Sequence, residues 1–331
     1  MLYVFIKLNL PLNIKRVAKM NKISNYWHHV LIVIVCFSWV GCTIKQKEVN
    51  RSPLLSAEAL EKAKEYTSLE EALKNPEKVY RLKLQDNLDE VPSGVWDLVN
   101  LQELDLQYNY LETLPNELTQ LQNLQKLYLN DNELKTLPAS LVKLKNLDFL
   151  DLEDNPKLDY EQAFGVLGNM PQLKELDLQN NKFKELPQAV LKLKHIKRLI
   201  LDYNKTLDLA QTFKLLAQLP KLTILELDNC ELTTLPDEVT LLTQLQHLSI
   251  QYNKFTEFPL NVTKLTKLDS LGVYENKLTS LPKEIGKMTN LKFLDVGWNQ
   301  LTDLPKEFYQ LKQLKHFWFY DIWGDTLLKP F

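Results

Sequence analysis

Two carboxylates, Asp151 and Asp177, occupy equivalent places in two similar segments of the chain. Leucine alternates with polar residues around each of them, which is the pattern of a short β-strand with one buried face. On adjacent strands, the two carboxylates would perturb each other's pKa and could serve as an acid–base pair or bind Ca²⁺. The five histidines are scattered, and no HExxH, GxSxG or GxxxxGK motif is present. Catalysis and a metal-dependent activity at this acidic patch are therefore alternatives to a binding function.

A repeat positions these carboxylates. Residues 101–123 and 124–146 share the 23-residue template LxxLxLxxNxLxxLPxxLxxLxx, whose positions are counted here from its first leucine. Further copies begin at Leu147, Leu173, Ile196, Leu222, Leu245, Leu268 and Leu291, with a degenerate copy at Val79 and a truncated one at Leu314. The copies at Leu147 and Ile196 have 26 residues, and Asp159 and Asp208 are predicted to cap a helix in each. The chain thus contains eleven copies.

The template resembles the leucine-rich repeat, in particular the 23-residue class with a Leu-Pro pair found in bacterial, Ras-suppressor-like and plant intracellular proteins. The resemblance covers residues 79–320. It implies a curved α/β solenoid with a parallel sheet on the concave face and short helices, 3₁₀ turns and loops on the convex face. One repeat cannot bury its own leucines, so stability must come from stacking.

Position nine of the template is usually asparagine. An inward asparagine there, as at Asn132, is predicted to bond backbone groups that no strand pairing reaches, and we predict the same of Asn87 in the first copy. Cys230 takes this position in one repeat. Because the family accepts cysteine there, the resemblance implies a structural role for Cys230.

Positions three, five, seven and eight are predicted to face solvent on the concave face, along an arc of roughly 50 Å. Their side chains are acidic in the centre and aromatic in the C-terminal half. The candidate binding residues are Tyr108, Asp151, Asp177, Tyr203, Asp228, Tyr252, Tyr274, Phe293, Trp298, Trp318 and Tyr320. Exposed aromatic residues anchor interfaces, and the acidic centre favours a basic partner.

The N-terminus is typical of an export signal. After Met20, where we expect translation to begin, a polar segment precedes an eleven-residue apolar run at 30–40 and then Gly41-Cys42. The run would reach only about 16 Å, so no permanent transmembrane helix is expected. The sequence before Cys42 resembles a bacterial lipobox, although Trp39 replaces the usual leucine; the resemblance implies a lipoprotein acylated at Cys42. An ordinary secretion signal and an uncleaved signal anchor are the alternatives.

These features divide the chain into a signal segment at 1–41, a tether at 42–53, a helical cap at 54–78, the repeat domain at 79–320 and a second cap at 321–331. In the first cap, Ser56 is predicted to start a helix with Leu60, Ala63 and Tyr66 on one face, and Ser68 a second helical turn. The net charge is −2, and residues 1–41 contain five basic and no acidic residues. The remainder is acidic, which argues against nucleic-acid binding, and the three cysteines support no disulfide framework.

Together these observations predict a non-enzymatic protein that binds another protein or an envelope ligand on its concave face, without a cofactor. The predicted location is the bacterial cell envelope, with a lipid anchor in the outer membrane as the only membrane contact. A cytoplasmic signalling scaffold of the Ras-suppressor-like type is an alternative, as are carbohydrate binding and a structural spacer without a specific ligand.

Overall fold

The computed structural model describes residues 51–319. The predicted signal segment, the predicted lipidation site Cys42, the candidate residue Tyr320 and the predicted C-terminal cap lie outside the described residues.

The described part of the chain contains one parallel sheet of twelve strands arranged in chain order. The strands are β1 (Glu65–Tyr66), β2 (Arg81–Lys83), β3 (Glu103–Asp105), β4 (Lys126–Tyr128), β5 (Phe149–Asp151), β6 (Glu175–Asp177), β7 (Arg198–Ile200), β8 (Ile224–Glu226), β9 (His247–Ser249), β10 (Ser270–Gly272), β11 (Phe293–Asp295) and β12 (His316–Trp318). Neighbouring strands pair residues at the same template position; Leu150, for example, lies opposite Leu176. The α/β leucine-rich-repeat solenoid predicted from the sequence is confirmed.

Short helices and 3₁₀ turns close the other side of the core. The helices are α1 (Ala57–Glu61), α2 (Leu69–Ala72), α3 (Tyr160–Leu167) and α4 (Leu209–Leu216), and the 3₁₀ turns are Pro76–Lys78, Ser93–Asp97, Asn116–Gln120, Ala139–Lys143, Gln188–Lys192, Asp237–Leu241, Leu260–Lys264, Lys283–Lys287 and Lys306–Gln310. The two longer repeats carry α3 and α4, where Asp159 and Asp208 each accept a hydrogen bond of 3.0 Å from the first turn. Both predicted caps are confirmed. Within residues 51–319, no helix combines the length and apolarity needed to cross a bilayer.

A ladder of asparagines joins successive repeats. The buried Asn132 side chain accepts a hydrogen bond from Leu111 N and donates to the carbonyl oxygens of Leu106 and Leu129. The side chain therefore satisfies backbone groups of two repeats that strand pairing leaves free. The prediction for Asn87 is wrong: its repeat is one residue shorter, and Asn87 is exposed with a φ of 53°.

Position eight has a left-handed backbone in repeat after repeat. Tyr108, Tyr203, Tyr252 and Trp298 have φ between 52° and 60°. This region is disfavoured for residues with a Cβ atom, particularly bulky ones. The turn after each strand imposes this conformation, and four of the predicted binding residues lie there.

The N-terminal region differs from the prediction. Ser56 and Ser68 do cap α1 and α2, but α1 ends at Glu61, so Ala63 and Tyr66 lie outside it and Tyr66 forms part of β1. Residues of the predicted tether also contact the solenoid: Ser52 N donates to Asn100 Oδ1 at 2.6 Å. The sheet therefore begins before the first recognisable repeat.

Candidate functional site

Four aspartates of the predicted acidic centre lie on successive repeats, two at template position five and two at position seven. This acidic patch comprises Asp151, Asp177, Asp202 and Asp228, whose residues are only 6–9% exposed. The expectation that they face solvent is wrong for Asp151, Asp177 and Asp228, the three predicted binding residues among them.

Hydrogen bonds explain why the chain tolerates these buried carboxylates. Asp151 Oδ1 accepts from Glu153 N at 2.9 Å, and Asp177 Oδ1 accepts from Gln179 N at 3.0 Å. Asp228 Oδ1 accepts from Ser249 Oγ and Gln251 N, both at 2.7 Å. Each carboxylate therefore holds the backbone at the end of a strand, which is a structural task.

Burial raises the pKa values of the acidic patch. The pKa of Asp151 rises to about 8 through burial and then through the neighbouring Asp177, and burial also raises the pKa of Asp177. Burial followed by the charge of Asp228 raises the pKa of Asp202 to about 8, while the pKa of Asp228 rises to about 6. Near neutral pH, Asp151 and Asp202 are largely protonated, so this patch attracts a basic partner less than its composition suggests.

The predicted proximity of Asp151 and Asp177 is confirmed, because they are register partners on β5 and β6. Across residues 51–319, however, no group of three or more His, Cys, Asp or Glu side chains is arranged to hold a metal ion.

Cys230 is buried, with Sγ 3.5 Å from Leu201 O and 3.4 Å from Asp228 O, and burial raises its pKa to about 12. A thiol in this state is a poor nucleophile.

Aromatic side chains form two ring clusters in the C-terminal half of the concave face. In the first, the centroids of Tyr252 and Tyr274 are 5.4 Å apart, and those of Tyr274 and Trp298 are 6.3 Å apart. Tyr252 is 44% exposed and Trp298 is 46% exposed. These rings rest on one another and still present large faces to solvent.

The second cluster consists of Phe293, His316 and Trp318. Phe293 stacks on His316 with centroids 4.6 Å apart and planes inclined by 5°, and His316 stacks on Trp318 at 5.6 Å. We call the two clusters together the aromatic patch: Tyr252, Tyr274, Phe293, Trp298, His316 and Trp318. Exposed apolar surface of this extent on a rigid sheet is typical of an interface.

Comparisons with known proteins identify the repeat. Leucine-rich-repeat family models match residues 99–156 and residues 172–193. The fold is similar to that of an internalin from Listeria monocytogenes, with a TM-score of 0.52 and 25% identity over 80% of this chain and 73% of that chain. The chain is a leucine-rich-repeat protein.

Two further solved structures are similar to this leucine-rich-repeat protein. A leucine-rich-repeat protein from Leptospira interrogans is 29% identical over 77% of this chain and 88% of its own, with a TM-score of 0.42. A plant peptide hormone receptor, solved in complex with RGF2, is 26% identical over 69% of this chain and 41% of its own, with a TM-score of 0.44. No curated protein matches the sequence. Leucine-rich-repeat proteins are generally non-enzymatic binding scaffolds, so the fold suggests a protein-binding role.

The remaining candidates lie apart from the aromatic patch. Tyr108 is exposed on the turn after β3, and Tyr203 is exposed after β7. His316 was not among the predicted binding residues, although its template position predicts that it faces outward beside Phe293. Glu275 and Asp295, which lie among the aromatic residues, were not predicted either. Their template positions are visible in the sequence, but only the structure shows that neither forms an ion pair within residues 51–319.

Proposed function

We propose that this leucine-rich-repeat protein binds a protein partner through the aromatic patch while a lipid on Cys42 anchors it in the bacterial cell envelope, most simply in the outer membrane. The aromatic patch supplies the binding surface, and the sheet beneath it keeps that surface rigid. Leucine-rich-repeat family membership supports binding rather than catalysis.

One observation carries the proposal: the stacked but exposed rings of the aromatic patch. Tyrosine and tryptophan lose little conformational entropy on binding and bury large apolar areas, so they dominate interface energetics. Here neighbouring rings hold one another in place at centroid distances of 4.6–6.5 Å. A partner would therefore meet a pre-ordered surface, which lowers the entropic cost of association.

Photocrosslinking in intact cells tests the binding surface. Benzoylphenylalanine at position 298 should yield a defined adduct, and the yield should fall when Tyr252 and Trp318 are both replaced by alanine. The same group at Lys306, on the convex side, serves as the control. Equal adducts from both positions, or no loss in the double variant, would refute the proposed surface.

Metabolic labelling tests the anchor. With a labelled fatty acid, the wild-type chain and a Cys36→Ser variant should incorporate label and partition into membranes, because only Cys42 follows a small residue. A Cys42→Ser variant should do neither. Recovery of a soluble, unlabelled wild-type protein that retains residues 20–41 would instead support the cytoplasmic scaffold.

A carbohydrate partner would use the same rings, so the identity of the adduct decides between the two. A protease-resistant, glycosidase-sensitive adduct at position 298 would favour carbohydrate binding. A protease-sensitive adduct supports the protein partner.

A further inference from the structure

The aromatic patch borders the carboxylate of Asp295, which forms no ion pair within residues 51–319. Asp295 lies on β11 between Phe293 and Gly297, and its register partner on β12 is Trp318. A Cβ atom at Gly297 would be 3.2 Å from both Asp295 Oδ1 and Tyr274 Cδ2, so the carboxylate and the tyrosine ring flank the same point of the backbone. Aromatic rings therefore border the carboxylate from two neighbouring strands.

Asp295 combines partial exposure with an unpaired charge, unlike the other acidic residues at its template position. Asp151 and Asp177 also form no ion pair within residues 51–319, but they are only 8% and 6% exposed. Asp105 forms an ion pair with Lys83 at 3.1 Å, and Glu226 forms one with Arg198 at 2.8 Å. Asp295 is half-buried and accepts only the backbone hydrogen bond from Gly297 N, at 2.9 Å. Within residues 51–319 it forms no ion pair, although burial raises its pKa and so disfavours its charge.

A second carboxylate adds to the negative potential at the rim. Glu275 is exposed after β10 and has no ion pair in the described chain. Partial burial, and then charges that include those of Glu275 and Asp295, raise the pKa values of Tyr252 and Tyr274. Both carboxylates therefore act on the same ring cluster.

A cation fits this combination of π-faces and carboxylates. We propose that Asp295, bordered by the rings of Tyr274 and Trp318, binds the guanidinium group of an arginine side chain on the protein partner, with Glu275 at the rim. A planar guanidinium stacks on aromatic rings while its in-plane N–H groups donate to a carboxylate. A lysine ammonium is more strongly hydrated and offers no planar face.

This inference rests on the proposed function and moves the expected basic partner from the centre of the sheet to its C-terminal half. The four aspartates of the acidic patch are only 6–9% exposed, whereas Glu275 is exposed and half-buried Asp295 lies among exposed rings. The partner's arginine would be attracted by the negative potential at the aromatic patch. On binding, it would pair with the Asp295 carboxylate, which has no ion-pair partner within residues 51–319.

Nuclear magnetic resonance of the ¹⁵N-labelled full chain tests the assignment, with Nα-acetyl-arginine amide as the probe. The probe should shift the indole N–H signals of Trp298 and Trp318 at millimolar concentration. The neutral citrulline analogue and the lysine analogue should each bind about tenfold more weakly. Lysine binding equal to arginine binding would overturn the choice of arginine, and equal binding of citrulline would overturn cation recognition.

Matched variants locate the site. Asp295→Asn keeps an acceptor for Gly297 N but should weaken binding of the arginine probe about tenfold. Asp105→Asn, at the equivalent position but already paired with Lys83, should leave the titration unchanged. An unchanged titration in Asp295→Asn would refute the site. If cellular crosslinking at position 298 persists in that variant at full yield, the proposed function stands and the arginine inference falls.

Discussion

Replacing Asp151 by asparagine should stabilise the protein at alkaline pH. The carboxyl is 8% exposed, and burial together with Asp177 raises its pKa from 3.8 to about 8. A group whose pKa is higher in the folded than in the unfolded state contributes its full stability at low pH. The contribution is lost as pH rises from the unfolded pKa through the folded pKa.

The magnitude follows from that difference. From pH 5 to pH 8 the unfolded carboxyl is ionised and the folded one is mostly protonated, so each of these three pH units lowers the free energy of unfolding by about 1.4 kcal/mol, about 4 kcal/mol in total. Asparagine resembles the protonated carboxyl, because it is neutral and its Oδ1 can still accept from Glu153 N. The variant should therefore match the wild type at pH 5 within about 1 kcal/mol and exceed it by roughly 2–4 kcal/mol at pH 9.

Urea unfolding of the full chain at pH 5 and pH 9, followed by circular dichroism, measures both differences. Asp105→Asn is the control, since Asp105 accepts the equivalent hydrogen bond from Gln107 N but pairs with Lys83. That substitution should lower stability slightly and give no gain at pH 9. A pH-independent difference between Asp151→Asn and the wild type would refute the argument that the buried carboxyl is protonated.

Three further predictions concern the repeat itself. Asn132→Ala should lower the free energy of unfolding by about 3 kcal/mol, since it leaves buried backbone groups of two repeats unsatisfied. Asn87→Gly, at an exposed position with a left-handed backbone that glycine adopts without strain, should change it by less than about 1 kcal/mol. Urea unfolding measures both differences, and equal effects would contradict the asparagine ladder. Asp159→Ala should cost about 1 kcal/mol by removing the cap of α3, and Asp159→Asn should restore most of it in the same assay. Cys230 should resist alkylation by iodoacetamide in the native protein at pH 8 and react fully in urea, as judged by mass spectrometry; rapid native labelling would contradict its burial.

The sequence was sufficient to predict the solenoid because each repeat carries the same leucine spacing and predicts the same strand and turn independently of the others. Alternation around Leu104 and Leu127 predicts a strand with one buried face, and the next copy predicts its neighbour. The caps at Asp159 and Asp208 were predictable for the same reason, since a cap depends on a few adjacent residues. Errors arose where this redundancy ended: β1 has no repeat to signal it, and the shortened first repeat places Asn87 outside the ladder.

The same distinction between local sequence and tertiary contacts applies to the candidate site. Composition and periodicity alone determined that acidic residues occupy the centre of the concave face and aromatic residues its C-terminal half. Only the tertiary structure decided that Asp151 is buried and has a raised pKa, whereas Asp295 lies among exposed rings and forms no ion pair within residues 51–319. Periodicity specifies the direction in which a side chain points, but its exposure, charge state and partners depend on neighbours 23 or 26 residues away along the chain.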